Sequence, residues 1–143
     1  MSDWKGELSG FFEESKKNRV EEEQSEMAGF LSRAVIPALN DLRLELMKHG
    51  RSVVVRESSN SAVIVVSHNG EEEISYRIRS RTFPNTVLPF AEIRFRERRG
   101  LRLISVESMF RSGSHDYSLS DVSKEEIIED FLENYTTRVR PEV

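Results

Sequence analysis

The chain has 143 residues, of which 37% are hydrophobic and 32% are charged, with 25 acidic against 21 basic side chains. This length fits one domain over residues 1–143, and the lack of cysteine excludes a disulfide scaffold, a thiolate metal site and a cysteine nucleophile. No apolar run approaches the roughly 18 residues that a membrane span needs. The first ten residues lack both the basic n-region and the apolar h-region of a secretory signal. We therefore expect a cytoplasmic domain with no membrane partner.

The N-terminal part shows two helical patterns. Trp4, Leu8, Phe11 and Phe12 follow the spacing of one helical stripe, so residues 1–24 are predicted to be an amphipathic, acidic extension. The polar stretch over residues 13–26 fits either an exposed helix or a linker. A wide apolar stripe then predicts a core helix over residues 25–49, and Pro37 predicts a kink or break near residues 33–37.

From residue 51 the apolar period changes to two, which predicts strands over residues 52–57, 61–68, 72–80, 88–98 and 101–109. Asn69-Gly70 is the strongest hairpin turn, and the connection Arg81–Leu88 is expected to be longer. A capping box at Ser123 and Glu126 begins a C-terminal helix over residues 123–137. The predicted fold is a two-layer α+β domain, in which the N-terminal and C-terminal helices pack on one face of a five-stranded antiparallel meander (residues 51–110).

The charge is unevenly distributed along this chain. Residues 51–111 carry 11 bases and 7 acids, whereas both flanking segments are acidic. All bases between Lys48 and Lys124 are arginines, whose planar fork pairs bidentately with carboxylate or phosphate. The ordinary explanation, favoured until the arginines are placed on a surface, is either a coding bias toward arginine or cross-strand pairing with Glu71, Glu72, Glu73, Glu92 and Glu97.

Turn geometry places the arginines on one face of the sheet. A two-residue turn at Asn69-Gly70 sets Val65 opposite Ile74 and Val63 opposite Tyr76, and a similar turn at Arg99-Gly100 sets Phe95 opposite Ile104. Glu97 then meets Arg102 as a possible salt bridge, and Phe90 is the main outward aromatic. In this register the outer face holds Arg77, Arg79, Arg94, Arg96 and Arg98, mixed with the apolar residues Ile64, Val66, Leu101 and Leu103.

A face that mixes arginine with aliphatic residues has the composition of a docking surface. The acidic segment that carries Phe11 and Phe12 could cover it, within one chain or across a homodimer. Apolar edge strands also favour self-association. We expect a protein-binding domain, adaptor-like or chaperone-like and homodimeric, whose partner-binding residues are Arg77, Arg79, Arg94, Arg96, Arg98, Leu101, Leu103, Phe11 and Phe12.

Other chemistries have weaker support in the sequence. A nucleic-acid-binding domain that places the same arginines on phosphate is the second hypothesis, although a pI near 5.5 opposes it. A hydrolase around His115, in the segment Arg111–Asp116, is a distant third. The three histidines show no metal-binding spacing, and no glycine-rich phosphate motif is present, so we expect no catalytic residue, no metal and no cofactor.

Overall fold

The computed structural model describes residues 3–96, 102–111, 113 and 116–139. Its elements are α1 (Trp4–Phe30), a π-helical segment (Leu31–Val35), α2 (Ile36–Lys48), β1 (Ser52–Glu57), β2 (Ala62–His68), β3 (Glu71–Phe83), β4 (Thr86–Arg96), β5 (Leu103–Met109), a 3-10 turn (Leu119–Asp121) and α3 (Lys124–Arg138). The strands form one open antiparallel sheet in the order β1-β2-β3-β4-β5. The predicted α+β fold with an antiparallel meander is confirmed.

Residues 4–48 form one nearly continuous helical rod. α1 begins after Asp3, whose carboxylate accepts a hydrogen bond from the Gly6 N–H at 3.1 Å. The helix runs through the polar stretch and first reaches the core at Met27 and Phe30. The linker alternative is therefore wrong, and the expected boundary after residue 24 lies inside α1. No helix of the described residues is long and apolar enough to cross a membrane.

The irregularity expected near Pro37 is a π-helical turn. At the end of Leu31–Val35, the Ile36 N–H donates to the carbonyl of the residue five positions earlier. Pro37 follows in the first turn of α2, where a missing backbone donor is tolerated. The wider turn therefore lets the rod continue past the proline without a break.

β3 and β4 are longer than expected and meet in a tight hairpin. The predicted long connection Arg81–Leu88 is wrong, because strand pairing continues to Phe83 opposite Thr86. Only Pro84 and Asn85 remain in the turn. These two strands form the longest pair of the sheet and extend towards α1.

The β2–β3 hairpin turns where predicted, but its register differs from the predicted one. Asn69 and Gly70 have φ angles of 53° and 80°, as a type I′ turn requires. A β-bulge then passes over Glu73, so that Val66 lies opposite Ile74. Beyond the bulge the pairing is shifted by one residue from the expected register.

This shift exchanges the two faces of β2. Ile64 and Val66, which were predicted to face outward, are fully buried beneath the helices at 0% exposure. Val63 and Val65 take their places on the outer face, opposite Arg77 and Ser75 of β3. The prediction that Ile64 and Val66 belong to the binding face is therefore wrong, because one extra residue reverses every later side chain of the strand.

The β4–β5 pairing follows the predicted register. Phe95 lies opposite Ile104, and both side chains are partly buried. The expected salt bridge between Glu97 and Arg102 cannot be placed, because Glu97 lies outside the described residues.

α3 closes the core over the central strands. Its first turn is capped as predicted, since the Ser123 hydroxyl accepts a hydrogen bond from the Glu126 N–H at 3.2 Å. The ring of Tyr76 on β3 packs edge-on against Phe131, with centroids 5.4 Å apart. The Tyr76 hydroxyl also donates to the Asp130 carboxylate at 2.5 Å. Both contacts fix α3 to the middle of the sheet.

The bulged residue Glu73 is part of a second polar link between the layers. Its carboxylate lies 3.3 Å from Arg51 Nε, and the side chains of Arg51 and Glu73 are 13% and 11% exposed. The Tyr135 hydroxyl of α3 donates to the same carboxylate at 2.8 Å. Burial, together with the nearby carboxylate, raises the pKa of Tyr135 to about 12.

Candidate functional site

The candidate site is the outer face of the sheet, on the side away from the helices. Directly paired residues form rows across this face. One row consists of Arg56, Val63, Arg77, Glu92 and Glu107, and its neighbour consists of Val54, Val65, Ser75, Arg94 and Ser105. In these two rows, β1 and β2 contribute valines and Arg56, whereas most of the charge lies on β3, β4 and β5.

Two of the predicted arginines are paired with glutamates of the same face. Arg79 Nη1 lies 2.7 Å from Glu92 Oε1. Arg94 donates from Nε and Nη2 to the two carboxylate oxygens of Glu72, at 3.2 and 3.1 Å. This cross-strand pairing is part of the ordinary explanation that the sequence favoured, and it is confirmed for these two arginines. Because the pairs are partly exposed, each contributes at most about 1 kcal/mol to stability.

The outward aromatic Phe90 is covered by an arginine. The Arg81 guanidinium lies 4.3 Å from the centre of the Phe90 ring, and Arg81 Nη2 lies 2.8 Å from a carboxylate oxygen of Glu107. Only 6% of Phe90 is exposed. The ring therefore has no free face on which a nucleic-acid base could stack.

The part of the face formed by β1, β2 and β3 is concave. We call this concavity the valine basin, and it encloses about 410 Å³. Its lining consists of three valines, three arginines, two glutamates and three serines: Val54, Val63, Val65, Arg56, Arg77, Arg94, Glu57, Glu72, Ser58, Ser61 and Ser75. Eight of the eleven lining residues are polar, so a ligand would be held here by hydrogen bonds and ion pairs around a small valine patch.

Arg56 and Arg77 lie on either side of Val63, as its direct neighbours on β1 and β3. Val63 is buried although it is on the outer face, as expected where long arginine stems lie along an apolar side chain. Arg77 Nη1 donates to the Ser61 hydroxyl at 3.2 Å. Within the described part of the chain, neither Arg56 nor Arg77 forms an ion pair. Both guanidinium groups therefore keep donors for an external carboxylate.

The remaining predicted residues of the sheet face divide into two groups. Arg96 and Leu103 are cross-strand partners on the outer face, and both are exposed. Arg98 and Leu101 lie outside the described residues. The structure therefore brings Arg77, Arg79, Arg94 and Arg96 to one face.

Phe11 and Phe12 do not join this face. They lie on α1, are 63% and 58% exposed, and pack edge-to-face on each other with ring centroids 5.4 Å apart. Trp4 and Leu8 of the same stripe are similarly exposed. The idea that this segment covers the arginine face of its own chain is therefore wrong for the described structure.

α1 is held to the sheet further along, at the tip of the β3–β4 hairpin. Arg19 Nη2 donates to the carbonyls of Phe83 and Pro84 at 3.5 and 3.4 Å, and Thr82 donates to the carboxylate of Glu23 at 3.3 Å. These contacts lie on the helix side of the sheet. The first four turns of α1 extend beyond them as an arm that carries an exposed aromatic stripe.

The sequence prediction missed Arg56, Val54, Val63 and Val65 as site residues. The signal for them was the consecutive valines of β1 and β2, which make both faces apolar. Such runs cannot show by periodicity which valines face outward. The bulge at Glu73 decides this, and the sequence does not reveal the bulge.

The other candidate chemistries have no site in the described structure. Among the described residues, no group of three or more histidine, aspartate or glutamate side chains could hold a metal ion. The hydrolase hypothesis depends on His115, which lies outside those residues together with Ser112 and Ser114. His49 follows α2 and is exposed, whereas His68 precedes the hairpin turn.

Comparisons with protein-family models, curated protein sequences and solved structures give no match for this chain.

Proposed function

We propose that this protein is a protein-binding domain whose outer sheet face binds an acidic amphipathic segment of a partner protein. The observation that carries the proposal is the valine basin, in which Arg56 and Arg77 flank an apolar floor and form no ion pair with a described residue. A partner with one apolar side would bury the valines, and its carboxylates would reach the two arginines.

The charges of the basin favour this kind of partner. Three arginines and two glutamates line it, and the Arg94–Glu72 pair neutralises one charge of each sign. Glu57 faces the same concavity, so the surface carries a small positive excess and not a continuous basic field. Such a surface suits a short segment with a few carboxylates.

A nucleic-acid-binding domain is the alternative, and the same surface gives it less support. Sheet-based RNA-binding domains stack bases on exposed aromatic side chains. Among the residues that the structure describes, no aromatic side chain lines the basin. Arg79 and Arg94 are engaged by glutamates, and a phosphate would have to displace these carboxylates.

Peptide selection tests the proposal directly. A random peptide library displayed on phage, selected on the immobilised protein, should yield peptides that combine aliphatic residues with Asp or Glu. Fluorescence anisotropy with the best peptide should show that Arg77→Ala weakens binding roughly 10- to 100-fold, because a charge-assisted hydrogen bond is lost. Arg79→Ala is the matched control, since Arg79 is on the same face but is paired with Glu92 outside the basin.

Two results would contradict the proposal. One is a selected peptide that binds Arg77→Ala and Arg56→Ala as tightly as the native protein. The other is tight binding of a fluorescent single-stranded RNA that falls steeply as salt rises, because this would favour the nucleic-acid alternative.

The exposed stripe with Phe11 and Phe12 remains a predicted second binding element. Self-association, the other part of the expectation, depends on a different feature of the sheet, which is the free edge of β1.

A further inference from the structure

β1 is an edge strand with few of the features that protect edges from pairing. Among the described strands it pairs with β2 alone, in an unbroken register from Ser52 opposite Ser67 to Glu57 opposite Ala62. It contains no proline and no bulge, and its charged residues, Arg56 and Glu57, are confined to the C-terminal end. Natural edge strands are usually blunted by one of these devices near the middle.

The sequence of β1 matches itself when two copies run antiparallel. If Val54 lies on a two-fold axis, it faces Val54 of the second copy, and Val53 faces Val55 on either side. Ser52 then meets Arg56. Shifting the axis to Val55 would set Val54 opposite Arg56, so hydrophobic matching selects the axis at Val54.

Both faces of β1 gain from this pairing. Val53 and Val55 are partly buried and pack against the core cluster, so the two cores would become continuous. Val54 is 45% exposed on the outer face and lines the valine basin. Pairing at Val54 would therefore join the basins of two copies into one longer groove.

The opposite edge of the sheet is less suited to self-pairing. β5 has a single valine at its centre, Val106, and a two-fold axis there would place Ser105 opposite Glu107 on both sides. Glu107 already pairs with Arg81. Self-pairing of β1 would place valine opposite valine in all three central pairs. Self-pairing of β5 would give one valine pair, flanked by two pairs of serine with glutamate.

Strand pairing alone would bury too little surface. Two six-residue strands cover roughly a few hundred Å², whereas a stable specific interface needs about 1,200 Å² or more. α2 packs over β1, and its Leu44 and Met47 are 55% and 51% exposed. A two-fold axis at the β1 edge brings both α2 helices to the same side of the joined sheet, where these side chains can supply further apolar contact.

We propose that the protein forms a homodimer through antiparallel pairing of β1 with β1 of a second copy, centred on Val54. The result is a continuous ten-stranded sheet with one groove, formed from both valine basins, on its outer face. This proposal stands on the edge strand and does not depend on the proposed peptide binding.

Cysteine cross-linking tests the register, because the native chain contains no cysteine. Val54→Cys should form a disulfide-linked dimer under mild oxidation, since facing residues of paired strands have Cα atoms within the roughly 7 Å that a disulfide allows. Ser52→Cys and Arg56→Cys are matched controls on the same exposed face. Each would be about 13 Å from its own copy in the second chain, and neither should cross-link alone. A mixture of these two variants should cross-link, because Ser52 and Arg56 face each other in the proposed register.

Sedimentation velocity provides the second test. The native protein should sediment as a dimer at roughly tens of micromolar, and Val54→Lys, which sets two like charges opposite each other, should shift it to monomer. Leu103→Lys on the other edge strand is the control and should leave the dimer intact. A native protein that stays monomeric, or cross-linking of Val54→Cys no greater than that of Ser52→Cys, would overturn the dimer proposal. Arg77→Ala, which removes a basin arginine on β3 and leaves β1 unchanged, should still sediment as a dimer. A dimer that persists while peptide binding is lost keeps the two proposals separable.

Discussion

The hydrogen bond between Tyr76 and Asp130 gives a prediction that joins stability to pH. The Tyr76 side chain is fully buried, and its hydroxyl donates to the carboxylate at 2.5 Å. Burial raises the pKa of Asp130 above its usual value, and the hydrogen bond from Tyr76 opposes this rise. Burial also raises the pKa of Tyr76 well above its usual value, so the hydroxyl keeps its proton and remains a donor.

The perturbation is Tyr76→Phe, which removes the hydroxyl and keeps the ring. The edge-on contact with Phe131 is preserved, so no large cavity forms. The loss is that of a hydrogen bond to a charged acceptor, worth about 1.5–3 kcal/mol. At neutral pH the free energy of unfolding should fall by about this amount.

The loss of unfolding free energy caused by Tyr76→Phe should become smaller as the pH falls. In the native protein the folded-state pKa of Asp130 is above the unfolded value, so the folded state binds more protons between these two pKa values. The stability contribution of this group therefore decreases as the pH rises through that window. Without the hydrogen bond the folded pKa of Asp130 rises further, so the decrease is larger in the variant. The difference in free energy of unfolding between the native protein and Tyr76→Phe should be smallest below the pKa that Asp130 has in the unfolded state. It should be largest above the pKa that Asp130 has in the folded variant.

Urea unfolding at about pH 4 and about pH 7 measures this difference. Asp130→Asn provides the control, because an uncharged acceptor removes this proton linkage, and Tyr76→Phe in that background should have a pH-independent cost. A cost of Tyr76→Phe that is equal at both pH values would contradict the proton linkage of Asp130. A cost below about 0.5 kcal/mol at neutral pH would contradict the stability contribution assigned to the hydrogen bond.

Three further predictions concern other parts of the structure. The double variant Phe11→Ser, Phe12→Ser should have a melting temperature within about 1 °C of the native value, because both side chains are exposed. Phe30→Ala in the core should lower the free energy of unfolding by about 3–5 kcal/mol. Calorimetry distinguishes these outcomes. Glu73→Gln should cost about 1.5–3 kcal/mol in urea unfolding, because it replaces a charge-assisted hydrogen bond to the largely shielded Arg51 with a neutral one, and a change below about 1 kcal/mol would contradict this. Gly70→Ala should cost roughly 1–2 kcal/mol by the same assay, because its φ of +80° is strained for a side chain; an unchanged midpoint would count against the assigned turn.

The fold could be predicted from local signals because each signal identifies one helix, strand or turn by itself. The apolar stripe of the long helix, the Asn69-Gly70 turn and the cap at Ser123 act within a few residues of the chain. The β4–β5 register also followed from its sequence, since only one pairing places Phe95 and Ile104 on the same buried face. In these segments the apolar pattern and the turn geometry agree.

The candidate site was predicted less well because its composition depends on Glu73, the residue of β3 that the bulge leaves without a partner on β2. Four consecutive apolar residues from Val63 to Val66 fit either face of β2, so only the turn could set the register. The bulge at Glu73 overrides the turn, and it is stabilised by contacts with Arg51 and Tyr135 that are distant in sequence. Long-range contacts of this kind leave no local signal.

The arginine-rich middle of the chain has two roles that follow from where its acids lie. On β3, β4 and β5, Arg79, Arg81 and Arg94 have carboxylate partners on the same face, so their charge is balanced within the sheet. Arg56 on β1 has Val63 as its cross-strand neighbour, and Arg77 on β3 lies between Val63 and Glu92, whose carboxylate pairs with Arg79. Neither Arg56 nor Arg77 therefore has a carboxylate partner among the described residues. The unbalanced charge, the apolar floor and the free strand edge therefore coincide on one side of the sheet. A partner segment bound in the groove formed by two basins would contact both copies, so binding and dimerisation would strengthen each other by the same factor.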